Sequence, residues 1–135
     1  MNQLGTHNHV TEILVESGIR PTKIRRAIAG LLFDGRDKHV TVEDVIDMAK
    51  SAAIKTSVAS VYNTLNQFAS AGLLRRVVID QGKAFFDTNL GAHHHFYFED
   101  EDRLEDIDEQ SVIVQNLPKT PDGRKIKSID ITVRI

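Results

Sequence analysis

The sequence predicts an α+β protein built from two modules, and three observations support this prediction. Apolar residues recur at helical spacing through the first half of the chain, and this spacing changes to two after Gly72. A run of histidines, His93 to His95, then opens a second segment with the alternation of strands. The chain has 135 residues, of which 41% are hydrophobic. This size and composition allow one domain or two small ones.

The composition excludes several kinds of site. The chain has no cysteine, so disulfides, thiolate catalysis and cysteine-ligated zinc or iron–sulfur sites are excluded. Its apolar runs fall short of the roughly 18 residues that a membrane-spanning helix needs. Its first residues lack the charged start and apolar block of a signal peptide. We therefore expect a cytoplasmic protein with no membrane partner.

The first two helices are predicted from spacing and from helix-ending residues. Residues 8–17 form a short amphipathic pattern that Gly18 ends. Thr22 is a good N-cap for the next helix, whose apolar face comprises Ile24, Ala27, Ile28, Leu31 and Leu32. The polar segment DGRDKH that follows is predicted to be a loop. His7 and His9 near the start are expected to be surface residues.

Two further helices carry clear start signals. Thr41 and Asp44 form a capping box at the start of VEDVIDMAK. Ser57 is predicted to cap the next helix, which Gly72 ends. On a helical wheel its buried face comprises Val58, Val61, Leu65, Phe68 and Ala69. Its outer face comprises Ala59, Ser60, Asn63, Asn66 and Gln67. This outer face is neutral and rich in hydrogen-bonding groups, whereas a merely solvated helix would usually carry Lys and Glu.

The runs LLRRVVI and KAFFDT, joined by DQGK, are predicted to form a β-hairpin. Helices followed by a two-stranded ribbon describe a winged helix-turn-helix, whose last helix enters the major groove of DNA. We therefore expect an N-terminal winged helix-turn-helix DNA-binding domain at residues 1–88.

The remaining residues predict a hinge at 89–92 and a small α/β dimerisation domain at 93–135. HHHFYFE, DRLEDI and KSIDITVRI are predicted strands, and DEQSVIVQNL a short helix. So small a module would be marginal alone, so we expect a homodimer, which also suits two-fold symmetric DNA. Residues 1–88 carry 11 basic and 9 acidic side chains, and residues 89–135 carry 6 and 10. This weak split is consistent with two modules that have different partners.

The three consecutive histidines are a candidate ligand cluster. In a strand, His93 and His95 point to one face and His94 to the other. Two strand positions span about 7 Å between Cα atoms, which allows two imidazoles to reach one ion. Nitrogen and oxygen ligands without sulfur suit Mn²⁺, Fe²⁺ or Zn²⁺. The acids at 99–102 are expected to form a solvated turn.

The order of these motifs resembles a known family. IRPTKIRRAIAGLLF, HVTVEDV, SVASVYNTLNQFASAGLL, GKAFFD and the histidine cluster together resemble the ferric uptake regulator (Fur) family of metal-responsive repressors. VYNTLNQF, HHHF and the lack of CxxC pairs resemble its iron response regulator (Irr) branch. That resemblance implies a regulator of iron and haem homeostasis that binds DNA when iron is scarce and is released by haem.

The resemblance also implies ligand sets. One metal site would use His39, Asp87, His93 and His95, and a second would use His94 and Asp106. In the second site the pattern departs from relatives, because Ala92 stands where they often have a histidine. Haem would be bound through His93, His94 and His95, because imidazole is an ordinary axial ligand. Phe96, Tyr97 and Phe98 could contact a porphyrin or pack in the core.

DNA contacts are carried over in the same way. Arg20 matches a residue that probes the minor groove of A·T-rich DNA, and Arg25 matches a phosphate contact. Tyr62 matches a tyrosine that touches thymine methyl groups, although core packing is also open to it. Asn63 would suit adenine. Candidate backbone contacts are Ser57, Ser60, Thr64 and Lys83. The expected partner is an A·T-rich palindromic operator.

Two alternatives remain open at the sequence level. The nearer one is a repressor of the same fold that senses Mn²⁺, Fe²⁺ or Zn²⁺ directly, without haem. The remote one is a small metal hydrolase, which would need an open coordination position and a general base. The sequence contains no nucleophile motif and no H-E-x-x-H, so we expect that the protein is not an enzyme.

Overall fold

The computed structural model describes the backbone of residues 3–135 and the side chains of residues 9–135. The chain divides into two compact units, Met1–Leu90 and Gly91–Ile135. His9 is exposed, and His7 lies outside the residues whose side chains are described. Each described helix is too short or too polar to cross a lipid bilayer.

Four α-helices and a small sheet form the first unit. The helices are α1 (Gln3–Glu16), α2 (Lys23–Leu32), α3 (Val42–Ser51) and α4 (Val58–Ser70). The strands are β1 (His39–Val40), β2 (Arg75–Asp80) and β3 (Lys83–Asp87), arranged antiparallel in the order β1-β3-β2. The predicted loop DGRDKH therefore ends in a two-residue strand, which places His39 in a sheet rather than before a helix.

Local signals set the helix boundaries. Thr22 and Ser57 accept hydrogen bonds from the backbone N–H groups of Arg25 and Ser60. Thr41 and Asp44 form the predicted capping box. At the end of α4, Gly72 has φ 81° and Leu73 N donates to Phe68 O at 2.9 Å. That backbone conformation favours glycine and stops the helix where the sequence predicts.

The core of the first unit lies between the helices and the sheet. Its buried members include Leu14, Ile28, Leu32, Val45, Val61, Leu65, Phe68 and Phe86. The rings of Phe33 and Phe68 lie 6.0 Å apart. The wheel placed Val58 on the buried face, and this prediction is wrong because its side chain is 63% exposed. Val58 is the first residue of α4, where the neighbouring helices no longer cover the apolar side.

A three-stranded sheet forms the second unit. Its strands are β4 (His93–Phe98), β5 (Arg103–Asp108) and β6 (Thr132–Arg134), in the order β5-β4-β6. Strand β4 pairs antiparallel with β5 and parallel with β6. The two strands predicted at HHHFYFE and DRLEDI are present and pair as a hairpin, and the closing strand is shorter than KSIDITVRI suggests.

The helix predicted at DEQSVIVQNL is wrong. Only Glu109–Ser111 form a single 3-10 turn, capped by the Asp108 carboxylate, and residues 112–120 have no regular structure. The segment contains Val112, Ile113 and Val114, and Ile113 is 80% exposed. A short helix without a buried face gains too little to offset its nucleation cost.

The packing of α4 generates a stability prediction. Phe68→Ala should lower the free energy of unfolding by about 3–5 kcal/mol, because it removes a fully buried ring. Val58→Ala on the same helix should change it by less than about 0.5 kcal/mol. Urea unfolding followed by far-UV circular dichroism measures both, since the four described α-helices all lie in the first unit. Equal losses in the two variants would contradict this description of the core.

Candidate metal centre and nucleic-acid interface

The first unit brings His39 and Asp87 together. These residues are partners in the β1–β3 ladder, so their side chains share one face of the sheet. His39 Nε2 lies 3.3 Å from Asp87 Oδ2, and Asp87 is 0% exposed. The other carboxylate oxygen, Oδ1, accepts a hydrogen bond from Asn89 N at 2.9 Å. Asp87 is thereby oriented with Oδ2 towards the imidazole.

The chain before His39 is fixed by two sets of hydrogen bonds. Lys38 N donates to Thr88 Oγ1 at 2.9 Å, and Thr88 N donates to Lys38 O at 3.1 Å. The Lys38 ammonium also contacts Asp34. This hydrogen bond, together with that from Arg36 N, lowers the pKa of the Asp34 carboxyl to about 2. The loop therefore holds β1 beside β3 and keeps His39 aligned with Asp87.

The second unit brings three candidate ligands together. His93 Nε2 lies 3.3 Å and His95 Nε2 lies 3.4 Å from the same atom, Asp106 Oδ1. The two imidazole rings are 4.6 Å apart and stand edge to face. Both histidines are buried, at 6% and 2% exposure. The alternation of β4 and its register with β5 produce this arrangement, since His95 is directly opposite Asp106.

A backbone contact fixes the tautomer of His93. Its Nδ1 lies 2.5 Å from Gly91 O, and a carbonyl oxygen can only accept a hydrogen bond. Nδ1 must therefore carry the proton, which leaves the lone pair of a neutral imidazole on Nε2. This is the usual way in which a backbone carbonyl orients a metal-binding histidine.

The donor set fits a divalent ion. The ligand atoms of His93, His95 and Asp106 lie within 4.8 Å of one another. Two ligands bound tetrahedrally at about 2.0–2.1 Å would lie about 3.3 Å apart. The observed nitrogen–oxygen separations of 3.3 to 3.4 Å match that spacing, whereas an N–H···O hydrogen bond is usually about 2.9–3.0 Å long. Imidazole and carboxylate ligands suit Mn²⁺, Fe²⁺ or Zn²⁺.

The structure corrects the pairing of His94 with Asp106. Asp106 lies on the face of His93 and His95, and His94 points to the opposite face because side chains alternate along β4. His94 Nδ1 instead accepts a hydrogen bond from Ile131 N at 3.2 Å. The contact sets the tautomer, with the proton of the neutral ring on Nε2. Asp106 thus groups with His93 and His95, and His94 connects β4 to the chain entering β6.

The three histidines do not present one common haem-binding face. His94 is separated from the other two by the sheet itself. Of the neighbouring aromatics, Tyr97 is buried and its hydroxyl donates to Asp102 Oδ1 at 2.8 Å. The Phe98 ring is covered by the Arg103 guanidinium at 3.7 Å from its centroid. These contacts are those of strand packing, which was one of the two expectations for the aromatics.

The candidate DNA-binding residues on α4 separate into two groups. Tyr62 is 51% exposed and Asn63 is also exposed, so both lie on the outer face of the helix. The Ser57 and Ser60 hydroxyls hydrogen-bond to each other at 3.0 Å at the start of the helix. Thr64 is only 5% exposed. Its side chain faces the core, so the structure does not support it as a DNA contact.

The basic candidates lie outside α4. Arg20 is exposed in the segment that precedes α2, and its carbonyl accepts a hydrogen bond from Arg25 Nη1 at 2.9 Å. Lys83 is half-buried at the start of β3, in the tip of the hairpin. The contact between Arg25 and the carbonyl of Arg20 holds the two residues close together in one basic region.

Comparison with known proteins decides the family. A model described as the ferric uptake regulator family matches residues 16–134. The chain belongs to this family. Fur-family proteins are transcription regulators and not enzymes, so the expectation of a non-enzymatic protein is confirmed and the metal hydrolase alternative is removed.

Individual relatives agree with this assignment. The ferric uptake regulation protein of Pseudomonas fluorescens is 31% identical over 106 residues, covering 78% of this chain and 80% of that protein. That of Neisseria gonorrhoeae is 33% identical over 81 residues, covering 60% of this chain and 56% of that protein. The chain thus spans about half the length of the Neisseria relatives it matches.

Solved structures confirm the α+β fold of this Fur-family chain. The ferric uptake regulator from Pseudomonas aeruginosa with manganese has a TM-score of 0.71 at 25% identity, covering 93% of this chain and 95% of that one. A zinc-bound manganese uptake regulator has a TM-score of 0.64 at 23% identity, covering 93% and 96%. The expected order, a DNA-binding domain followed by a dimerisation domain, agrees with these neighbours.

The geometry of the second unit predicts a role for Asp106. Asp106→Asn should weaken Mn²⁺ or Zn²⁺ binding by about 10-fold or more, because losing even an outer-shell partner costs about 10–100-fold. Isothermal titration calorimetry on metal-free protein measures the change. Glu105→Gln is the matched control, since it removes the same charge from the neighbouring residue on the other face of β5. Unchanged affinity in Asp106→Asn would contradict the ligand assignment.

Proposed function

We propose that this Fur-family protein is a dimeric, divalent-metal-responsive transcription regulator. The observation that carries the proposal is the convergence of His93 Nε2 and His95 Nε2 on Asp106 Oδ1. Metal sites commonly contain histidines whose second ring nitrogen donates to a backbone carbonyl, as His93 Nδ1 does to Gly91 O. The burial of both imidazoles beside a carboxylate also fits such a site. The Pseudomonas aeruginosa relative with manganese and a Francisella tularensis relative with iron support a divalent ion of this class.

The proposed ligands are His39, Asp87, His93, His95 and Asp106. Sequence resemblance assigns the first four to one ion, and Asp106 is added because it shares the face of His93 and His95. When bound, the ion supplies positive charge among two carboxylates. The chain's own residues prepare for it: Asn89 N and Gly91 O orient Asp87 and His93, and the Lys38–Thr88 hydrogen bonds align His39. Metal occupancy would then be linked to DNA affinity.

DNA binding is proposed for the outer face of α4. This helix has no charged residue, and Tyr62 and Asn63 present a thymine-contacting ring and an amide suited to adenine. Arg20 and Arg25 are the proposed minor-groove and phosphate contacts, with Ser57, Ser60 and Lys83 as further backbone contacts. The partner proposed from these groups is an A·T-rich palindromic operator.

Dimerisation is proposed for the second unit. Its described residues include several large apolar side chains that are more than a third exposed: Ile113, Val114, Leu117, Ile126, Ile129, Val133 and Ile135. Exposed apolar surface of this extent is typical of an interaction site. Self-association would present two copies of α4, as a palindromic operator requires.

Haem release is the finer alternative that resemblance to the Irr branch implies. It would make the protein a regulator of iron and haem homeostasis that leaves DNA when haem is present. No feature of the described ligand cluster favours it, because His94 and the His93–His95 pair lie on opposite faces of β4. Direct metal sensing is therefore the function that the geometry supports best.

The function is tested by fluorescence anisotropy with a labelled A·T-rich palindrome. Metal-free and Mn²⁺-loaded protein should differ in DNA affinity, and Asp106→Asn should need about 10-fold more Mn²⁺, or more still, to reach the same difference. Haemin added to the same samples should cause neither a stoichiometric shift of the Soret absorbance band nor release of the DNA. A Soret shift lost on changing His93 and His95, accompanied by DNA release, would replace metal sensing by haem sensing.

The outer face of α4 generates a separate prediction. Asn63→Ala should weaken operator binding by about 1–3 kcal/mol and relax the preference for adenine at one position of each half-site. Asn66→Ala is the control, because its amide already donates to Tyr62 O within the helix at 3.0 Å. Competition anisotropy with operators altered at single positions measures both effects. A loss that is equal for every sequence would reassign Asn63 to a phosphate contact.

A further inference from the structure

Asp87 occupies the middle strand of the first sheet and has a neighbour on each side. His39 is its partner on β1 and Arg75 is its partner on β2. Directly opposite residues of antiparallel strands project to the same face, with Cβ atoms about 4.5–5.5 Å apart. A histidine, a carboxylate and an arginine therefore stand in a row across this sheet.

The arginine in this row is important for the charge balance of Asp87, because the Asp87 carboxylate is buried. Its exposure is 0%, and a buried carboxylate needs a positive partner or costs several kcal/mol. The groups on its oxygens include the Asn89 N–H and the His39 imidazole, and the N–H is neutral. A metal-binding imidazole must also be neutral. Arg75, whose guanidinium is always charged, supplies permanent positive charge at the adjacent register position.

We propose that Arg75 is a positioning residue that sets the affinity of the metal centre by acting as the alternative counter-charge of Asp87. Without an ion, the guanidinium compensates the buried carboxylate. With a divalent ion bound to Asp87, the same guanidinium opposes it. When the ion binds, it replaces the Arg75 guanidinium as the positive partner of Asp87. The affinity of the protein for the ion is therefore lower than it would be without Arg75. The inference rests on the proposed function, because it takes Asp87 to be a metal ligand.

The neighbouring residue provides a matched comparison. Arg76 carries the same charge one position along β2, but it is exposed and stands opposite Phe86 on the other face of the sheet. Charge alone would make the two arginines equivalent. Register makes them different, because only Arg75 shares a face with Asp87 and His39.

The test compares Arg75→Gln, Arg75→Lys and Arg76→Gln in the full chain. Each variant is titrated with Mn²⁺ by calorimetry, and thermal unfolding is recorded with EDTA and with saturating Mn²⁺. Arg75→Gln should bind Mn²⁺ about tenfold more tightly, the size expected for removing one charge near a divalent ion in a partly screened site. It should unfold at a lower temperature than the unaltered protein in EDTA, with most of that difference removed by Mn²⁺. Arg75→Lys and Arg76→Gln should stay close to the unaltered protein in both measurements.

The outcomes separate the inference from the function beneath it. Equal or weaker Mn²⁺ binding by Arg75→Gln, or a loss of stability that is the same with and without Mn²⁺, would overturn the role of Arg75. Tighter binding by Arg76→Gln to the same extent would also overturn it, since the effect would then be one of net charge. Failure of the unaltered protein to bind Mn²⁺, Fe²⁺ or Zn²⁺ would instead remove the proposed metal-sensing function itself.

Discussion

The strict alternation of side chains along a β-strand is the constraint on which the candidate site depends. It places His93 and His95 on one face of β4 and His94 on the other. The three consecutive histidines therefore make different contacts. Two converge on Asp106, and the third accepts a backbone N–H from Ile131 and ties β4 to the end of the chain. A shift of the β4–β5 register by one residue would bring Glu105 or Ile107 opposite His95 and remove Asp106 from the cluster.

Strand pairing also determines which residues lie beside Asp87 in the first sheet. Strand β3 lies between two partners, so a single carboxylate meets residues from two other segments of the chain at once. β1 has only two residues, and its position is maintained by the paired hydrogen bonds between Lys38 and Thr88. The alignment of His39 with the buried Asp87 therefore depends on hydrogen bonds made by the loop that precedes β1.

The four α-helices, their caps and the β2–β3 hairpin could be predicted from sequence because their causes are local. Thr22, Thr41 and Ser57 act within three residues of themselves, and Gly72 acts on the turn that it closes. The grouping of Asp106 with His93 and His95 could not be predicted in this way, since it depends on the strand register. β1 was missed because two residues give no periodicity. Val58 and Thr64 were misplaced because a helical wheel shows only angles and takes no account of where the neighbouring helices end. The helix at 108–117 was wrong because its apolar residues pack against nothing that would stabilise it.

The parallel pairing of β4 with β6 has a consequence for the order of folding. β6 is the last strand, and the 23 residues between β5 and β6, 109–131, include only two isolated 3-10 turns and no α-helix. During synthesis the β4–β5 hairpin can close as soon as Asp108 leaves the ribosome, whereas the other edge of β4 must wait for residues 131–135. Until then His94 lacks its backbone donor, and an open strand edge next to the proposed metal ligands is available to any other extended chain. The sheet of the second unit is thus expected to be completed after that of the first during synthesis, because its β4–β6 pairing needs residues 131–135.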